Sequence, residues 1–375
     1  MEVSHSKSKA GRQNPLGIGW KNMRKLKIAI LYDEIEDKEK AEAEAQGKKF
    51  PLAYKQVEEA LQGRGHAVDV LSVKSDVIDL VSKIRDLDCD IIFNLCETFG
   101  GVSQHEQNVA ALLELLKRPF TGAGSIGLAL SQDKELSKKI LAFHGIESPK
   151  YAVIDSGKVE WSDDLRFPVL LKPVAQDGSV GIDSKAVVHN IKELMERISL
   201  IHSEYHSPAL IEEYIDGREI YVGVLGNEKV EPLPIFEMGF SESPQNEPKI
   251  ASTEAKWEEE SEAARNTYEF FPADIPEDVY KKIQETAAMA FRLLKLRDYG
   301  RIDMRLRQDK EGNWEYFIIE ANGNPHLEIE SELPRAAMKQ GLEYADLLER
   351  IIELALERSG PKALLNGSID ERTAV

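Results

Sequence analysis

Three short runs near the start of the chain restrict its fold more than any other feature. Residues 26–32 (LKIAILY), 67–73 (AVDVLSV) and 90–96 (DIIFNLC) are rich in the apolar residues of buried strands. Between them lie PLAYKQVEEALQGRGH and DVIDLVSKIRDLDC, whose apolar residues fall at helical spacing. HEQNVAALLELLKR follows as an amphipathic helix, and PFTGAG as a short strand and turn. Strands that alternate with helices in this way form a parallel sheet covered by helices. This first α/β unit spans residues 25–124.

The rest of the chain reads as α+β. Residues 125–215 hold a helix over 131–144, strands in SPKYAVID, FPVLLKPV and PALIEEYI, and a helix in IKELMERISLIH. Residues 216–360 hold strands in REIYVGVLG and PLPIFEM, a polar insert over 241–266, and a helix in EDVYKKIQETAAMAFRLLKL. Two further strands, GRIDMRLR and WEYFIIEAN, and a last helix over 344–358 complete the unit. Residues 1–24 read as a flexible lead-in and 361–375 as a frayed tail. The charged stretch 35–49 fits either a solvated helix or a loop.

A chain of 375 residues is too long for one ordinary core, so two or three compact units are expected. The formal net charge of −18 argues against binding nucleic acid or an anionic membrane, since both repel such a surface. An anionic ligand therefore needs a local cluster of cations. Cys89 and Cys96 have no metal-ligand spacing and read as buried thiols. No secretory leader and no apolar run of about 20 residues is present, so a cytoplasmic protein is expected.

Chemistry concentrates near the end of the chain. Asp303 lies within GRIDMRLR; Glu320 and Asn322 close the run YFIIEAN and share one strand face by alternation. Paired as a hairpin, the two strands bring Asp303 opposite them. Two carboxylates and an amide carbonyl form an all-oxygen set suited to Mg²⁺, which keeps phosphate and water as its other ligands. Arg301 shares the face of Asp303 and can neutralise a phosphoryl group in transfer. The alternative is a hairpin bearing surface charges. Lys134 begins a helix, and Lys172 interrupts an apolar strand, where a lysine needs an anion. Gly178 and Gly181, just downstream, allow backbone N–H groups to turn toward phosphate. In LIEEYIDGRE a strand edge can hydrogen-bond adenine, with Glu219 on ribose; a plain strand and turn is the other reading. Lys256 by itself reads as one charge in a solvated acidic loop.

These segments, with NLCETFGG, LLELLKRPFTGAG, ALSQDKELSKKIL, EAKW, YEFFPADI and IIEANGNPHL, occur in an order and spacing that resemble the D-alanine–D-alanine ligases of the ATP-grasp superfamily. The similarity runs from about residue 89 to 358. It implies ATP held between two antiparallel sheets. Lys134 and Lys172 would contact its phosphates. Ser179, Val180 and Gly181 would belong to a glycine-rich flap. Glu212, Glu213, Tyr214 and Ile215 would form the adenine hinge, and Glu219 would bind ribose. Lys256 would reach the terminal phosphate and Arg301 would hold the transferred group. Asp303, Glu320 and Asn322 would bind two Mg²⁺, or Mn²⁺ in their place. Ser331 and Leu333 fall where the family holds the second amino acid's carboxylate. The reaction implied joins a small carboxylate to an amine through an acyl phosphate, in a family where homodimers are common.

The chain departs from that family at its substrate positions. The Gly-rich loop after the first strand is replaced by YDEIEDKEKAEAEAQGKK, and His105 does not occupy the family's histidine position. Gly178 replaces a flap serine and Trp257 a loop tyrosine. Gly323-Asn324-Pro325-His326 replaces Ser-Pro-Gly, and Glu328, Glu330 and Glu332 make the next segment acidic. Changed substrate specificity is the expectation. A genuine D-alanine–D-alanine ligase is one alternative, and a catalytically idle ATP-binding sensor or scaffold is another.

Overall fold

The structure, a computed structural model, describes residues 24–34, 52–155, 158–159, 165–174, 181–183, 185–241, 248–250 and 265–360. The first unit is a parallel sheet ordered β2 (Ala67–Val73), β1 (Lys27–Asp33), β3 (Ile91–Asn94). Helices α1 (Ala53–Gly63), α2 (Val77–Asp86) and α3 (Glu106–Leu115) make the crossovers. Asp76 starts α2 by accepting hydrogen bonds from the Ile78 and Asp79 amides. Phe120 extends the sheet by one parallel bridge to Ile92.

The middle unit is an antiparallel sheet ordered β5 (Lys158–Val159), β4 (Tyr151–Asp155), β8 (Ala209–Glu213), β6 (Val169–Pro173), β7 (Val187–Val188). After α4 (Ser125–Gln132) and α5 (Lys134–Phe143) comes α6 (Ile191–Tyr205). Leu194, Ile198 and Ile201 of α6 pack on Val169, Leu171 and Ile211 of the sheet, a core separate from the others. Asn190 caps α6 through the Glu193 amide, and the Glu193 carboxylate returns to the His189 amide.

The last unit is built on a second antiparallel sheet: β12 (Thr267–Phe270), β11 (Phe236–Phe240), β9 (Arg218–Gly226), β13 (Asp298–Gln308), β14 (Trp314–Asn322), with β10 (Val230–Pro232) also paired to β9. Helices α7 (Glu277–Leu293), α8 (Glu332–Lys339) and α9 (Tyr344–Ser359) cover it. This unit shares its two larger cores with the first sheet. Ala29 and Leu31 enter a core with Ile220, Phe291 and Ile302. Ile28 and Ile30, on the opposite face of β1, enter a core with Leu333, Leu348 and Ile351. Strand alternation alone thus sends β1 into two cores, each fully buried Leu or Ile contributing about 1.5–3 kcal/mol.

Asp298 fastens this junction. It is fully buried and accepts from the Gly122 amide at 2.9 Å and from Arg358 Nη2 of α9 at 2.9 Å.

Two segments differ from the sequence-based reading. The helix expected over 131–144 is a pair, α4 and α5, broken at Asp133. That residue is extended, ends α4, and caps α5 by accepting from the Leu136 amide. Helix α8 follows Ser331 where only an acidic segment was expected. Cys96 is buried as expected, but Cys89 is only partly so, and its Sγ accepts from Arg118 Nη2 at 2.9 Å.

Candidate active site between two antiparallel sheets

Strands β13 and β14 run antiparallel with Asp303 opposite Glu320 and Arg301 opposite Asn322. The expected hairpin therefore brings the four residues together. Asp303 is 2% exposed and accepts two hydrogen bonds from Arg301, Nε–Oδ1 at 2.7 Å and Nη2–Oδ2 at 2.9 Å. Arg301 Nη1 also donates to Glu332 Oε2 at 3.0 Å. The Tyr221 ring centroid lies 5.1 Å from the guanidinium carbon. Burial works against the Arg301 charge, but Asp303 and Glu332 outweigh it and hold the group firmly protonated. Asn322 Oδ1 accepts from the Asn324 amide at 3.0 Å. Among the described residues no three His, Cys, Asp or Glu side chains converge as metal ligands. The candidate set is two carboxylates with one amide.

Lys134 and Lys172 are both buried, at 3% and 5% exposure. Lys134, in the first turn of α5, reaches Glu320 Oε1 at 2.8 Å. Lys172, on β6, reaches Glu212 Oε2 at 2.8 Å. Lys138, one turn beyond Lys134, meets the other Glu212 oxygen at 2.6 Å. Burial alone would raise the Glu212 carboxyl, yet the two lysines override it and hold it at about 2.

A cleft opens between the sheets. Its polar lining is Lys172, Glu212, Glu219, Asp303, Arg305 and Glu320; Leu170, Ile182, Ile215, Ile250 and Ile319 form apolar walls. This mixture suits a ligand with a flat apolar part and a charged part. Chain segment 214–217 links β8 of one sheet to β9 of the other. Arg305 secures it by donating Nε and Nη2 to the Ile215 carbonyl at 3.1 and 3.0 Å. Arg305 Nη1 also holds Glu219 Oε2 at 3.0 Å, and Tyr221 OH donates to Glu219 Oε1 at 2.8 Å. Glu213 and Tyr214 donate their amides to the Lys150 and Pro168 carbonyls. Tyr214 OH accepts from the Lys249 amide at 3.0 Å.

Beyond the cleft, the loop after Asn322 is tied to the first unit. Asn324 donates to the Cys96 carbonyl and to Glu106 Oε1, both at 3.1 Å, and accepts from Tyr299 OH at 2.6 Å. His326 Nδ1 lies 3.4 Å from Glu97 and 3.6 Å from Glu328. Glu97 raises the imidazole pKa, burial opposes it, and Glu328 adds to the rise. Ser331 Oγ donates to Glu328 Oε2 at 3.1 Å. His105 is exposed at the end of a short 3-10 turn, next in the chain to Glu106.

The expected residues Arg301, Asp303, Glu320, Lys134, Lys172, Glu212, Glu213, Tyr214, Ile215 and Glu219 thus fall on the cleft or in direct contact with its lining, and Asn322 pairs with Arg301 across the strands. Ser331 lies beside Glu332, the second partner of Arg301. Gly181 has φ +77, and a Cβ there would sit 2.8 Å from Pro173 Cδ. Its carbonyl accepts from Arg197 Nη2 at 2.6 Å. Ser179, Val180 and Lys256 lie outside the described residues. Sequence reasoning missed Lys138, Arg305 and Glu332. The i, i+4 spacing of Lys134 and Lys138, and the Arg301–Asp303–Arg305 alternation, carried a signal for the first two.

Two antiparallel sheets enclosing a cleft with buried lysines on one side and paired carboxylates on the other define a ligase of the ATP-grasp class. Comparison with known proteins agrees. Residues 139–353 match the family model described as the D-ala D-ala ligase C-terminus. A D-alanine–D-alanine ligase of Sphingopyxis alaskensis is 31% identical over 305 residues, 81% of this chain and 92% of the relative. An uncharacterized protein of Sinorhizobium fredii, y4sG, is 36% identical over 270 residues, 72% of this chain and 75% of that one. This chain belongs to the D-alanine–D-alanine ligase family. The crystal structure of the D-alanine–D-alanine ligase from Bacillus anthracis complexed with ATP shares the fold. Its TM-score is 0.68 at 23% identity, covering 90% of this chain and 99% of that one.

Proposed function

We propose that this protein joins a small carboxylate to an amine with consumption of ATP, on a substrate pair other than two plain D-alanines. One observation carries the reading: Asp303 and Glu320 face each other on adjacent strands that line a cleft also holding Lys172, with Asn322 two residues beyond Glu320 and Lys134 on Glu320. The division of the chain at residues 124 and 215 belongs to this reading, as does a cytoplasmic setting, which fits the two free thiols Cys89 and Cys96.

In this assignment ATP lies with its base along 212–215 and its ribose at Glu219. Its phosphates point to Lys134, Lys172 and the turn around Ser179, Val180 and Gly181, with Lys256 reaching the terminal one. Asp303, Glu320 and Asn322 fit a divalent cation by donor type, since hard oxygen donors in small number are what Mg²⁺ accepts from protein. Two Mg²⁺ bound there would neutralise charge on the triphosphate. The remaining work falls to side chains. Asp303 and Glu332 fix the Arg301 guanidinium in advance, so charge developing on the transferred phosphoryl group meets a donor that need not reorganise. A substrate carboxylate oxygen attacks the terminal phosphorus and ADP leaves. The amine then attacks the acyl carbon, and phosphate departs with that same oxygen. Ser331 lies where the amine substrate's carboxylate would be held. Closure of the cleft must exclude water, because an acyl phosphate hydrolyses.

His326, with Glu97 and Glu328 beside it, supports the altered specificity. The test is a panel of amino acids and amines scored for amine-dependent phosphate release, with mass spectrometry of the product. Turnover confined to D-alanine would show that the sequence departures do not alter the substrate. Tight ATP binding without phosphate release on any pair would favour the idle sensor.

A further inference from the structure

We propose that Lys138 is a positioning residue for nucleotide binding: it holds Glu212 from behind so that Lys172 is free to move onto phosphate. The inference rests on the ATP-binding reading of the cleft and adds a residue to it. Lys138 and Lys134 are four residues apart on α5 and so share a helix face. Lys134 meets Glu320, and Lys138 meets Glu212 at 2.6 Å, the latter within an almost wholly buried triad with Lys172. Lys172 and Glu212 line the cleft; Lys138, 2% exposed, backs Glu212 from the helix, its Nζ 5.9 Å from the Tyr151 ring centroid.

The charge count gives the triad its purpose. Lys134 and Glu320 cancel, whereas Lys138, Lys172 and Glu212 carry one positive charge in excess at the cleft wall. A buried excess charge is costly unless an anion completes it. A triphosphate is that anion. For phosphate to take Lys172, Glu212 must give it up and still keep a counter-charge, and Lys138 is that counter-charge. Without Lys138, Lys172 would be the one cation left to Glu212 among the described residues, and phosphate would compete with a buried carboxylate for that ammonium.

The test measures binding of ATP with Mg²⁺ to the full chain by calorimetry, together with steady-state turnover on the pair found in the panel. Lys138→Gln is expected to raise the ATP Kd and KM by on the order of tenfold, with a much smaller change in kcat at saturating ATP. Lys138→Arg, which keeps the charge, should recover most of the loss. A merely structural lysine would instead lower the melting temperature and kcat together, with no selective rise in KM for ATP. Lys138→Gln that folds and binds ATP with unchanged affinity overturns the proposal, as does a fall in kcat at saturating ATP as large as the rise in KM. Should Lys138→Gln fail to fold, Lys138→Arg decides: ATP affinity close to that of the unaltered protein supports the proposal, and a loss on the order of tenfold overturns it. Failure of the unaltered protein to bind ATP would instead sink the nucleotide reading itself.

Discussion

Asp303 and Glu320 face each other across β13 and β14, yet each carboxylate answers to a different cation. Asp303 is gripped at both oxygens by Arg301 from its own strand. Glu320 is met at 2.8 Å by Lys134 from α5, a helix outside that sheet. The two acids thus meet cations that approach from different directions.

The proposed cation site draws on both acids. Asp303→Asn and Glu320→Gln are each expected to abolish turnover while the protein still folds. Phosphate release and thermal melting on the same preparations check this. Retained activity in both variants would remove the metal assignment.

Arg301 supplies a donor whose orientation is set by Asp303 and Glu332. Arg301→Lys keeps the charge but loses the two-point fork, and should lower kcat by about 10²–10³. An unchanged kcat with a raised KM would place Arg301 in ground-state binding instead.

Arg305 joins Ile215, Glu219 and Lys249 through one guanidinium. Arg305→Met leaves buried Glu219 with Tyr221 OH as its one remaining partner among the described residues, so stability should drop by about 3–5 kcal/mol. ATP affinity should fall with it, measured by urea unfolding and by calorimetry. A variant as stable as the parent would show that Glu219 does not depend on Arg305.

Asp33 gives a pH dependence. Burial lifts its carboxyl from the ordinary 3.8 to about 7, although the Glu97 and Thr98 amides, donating at 2.7 and 2.8 Å, pull the other way. Between these values the native state holds a proton that the unfolded chain has released. Stability from this group is therefore full below pH 3.8 and lost as pH rises to about 7. Asp33→Asn should remove that loss, so its melting advantage over the parent grows from pH 5 to 8, by about 2–3 kcal/mol. Parallel melting curves for the two proteins over that range would contradict the burial argument.

Much of this architecture was legible because few alternatives exist for the residues concerned. Residues such as Ile28–Leu31 and Ile91–Phe93 are apolar on consecutive positions, which only a strand buried on both faces accommodates. The shared face of Glu320 and Asn322 was legible through strand alternation, which holds without knowing the partner strand. Helix α8 was missed because its third residue is Pro334; in a first turn the missing N–H costs nothing, but in the sequence it reads as a break. Asp133 concealed two helices as one because a residue that both ends and begins a helix leaves the apolar period almost undisturbed. The spacing of Lys138 from Lys134 gave its helix face but not its partner, and Glu332 was illegible for the same reason. Nothing local to them says which cation or carboxylate will meet them from a distant element.

The most direct measurement uses a carboxylate substrate labelled with ¹⁸O at its carboxyl oxygens, with ATP, Mg²⁺ and the amine. Attack of the carboxylate on the terminal phosphorus predicts that released phosphate carries one ¹⁸O for each amide formed. Amide formed with unlabelled phosphate would contradict the acyl phosphate route and the roles given to Arg301, Asp303 and Glu320.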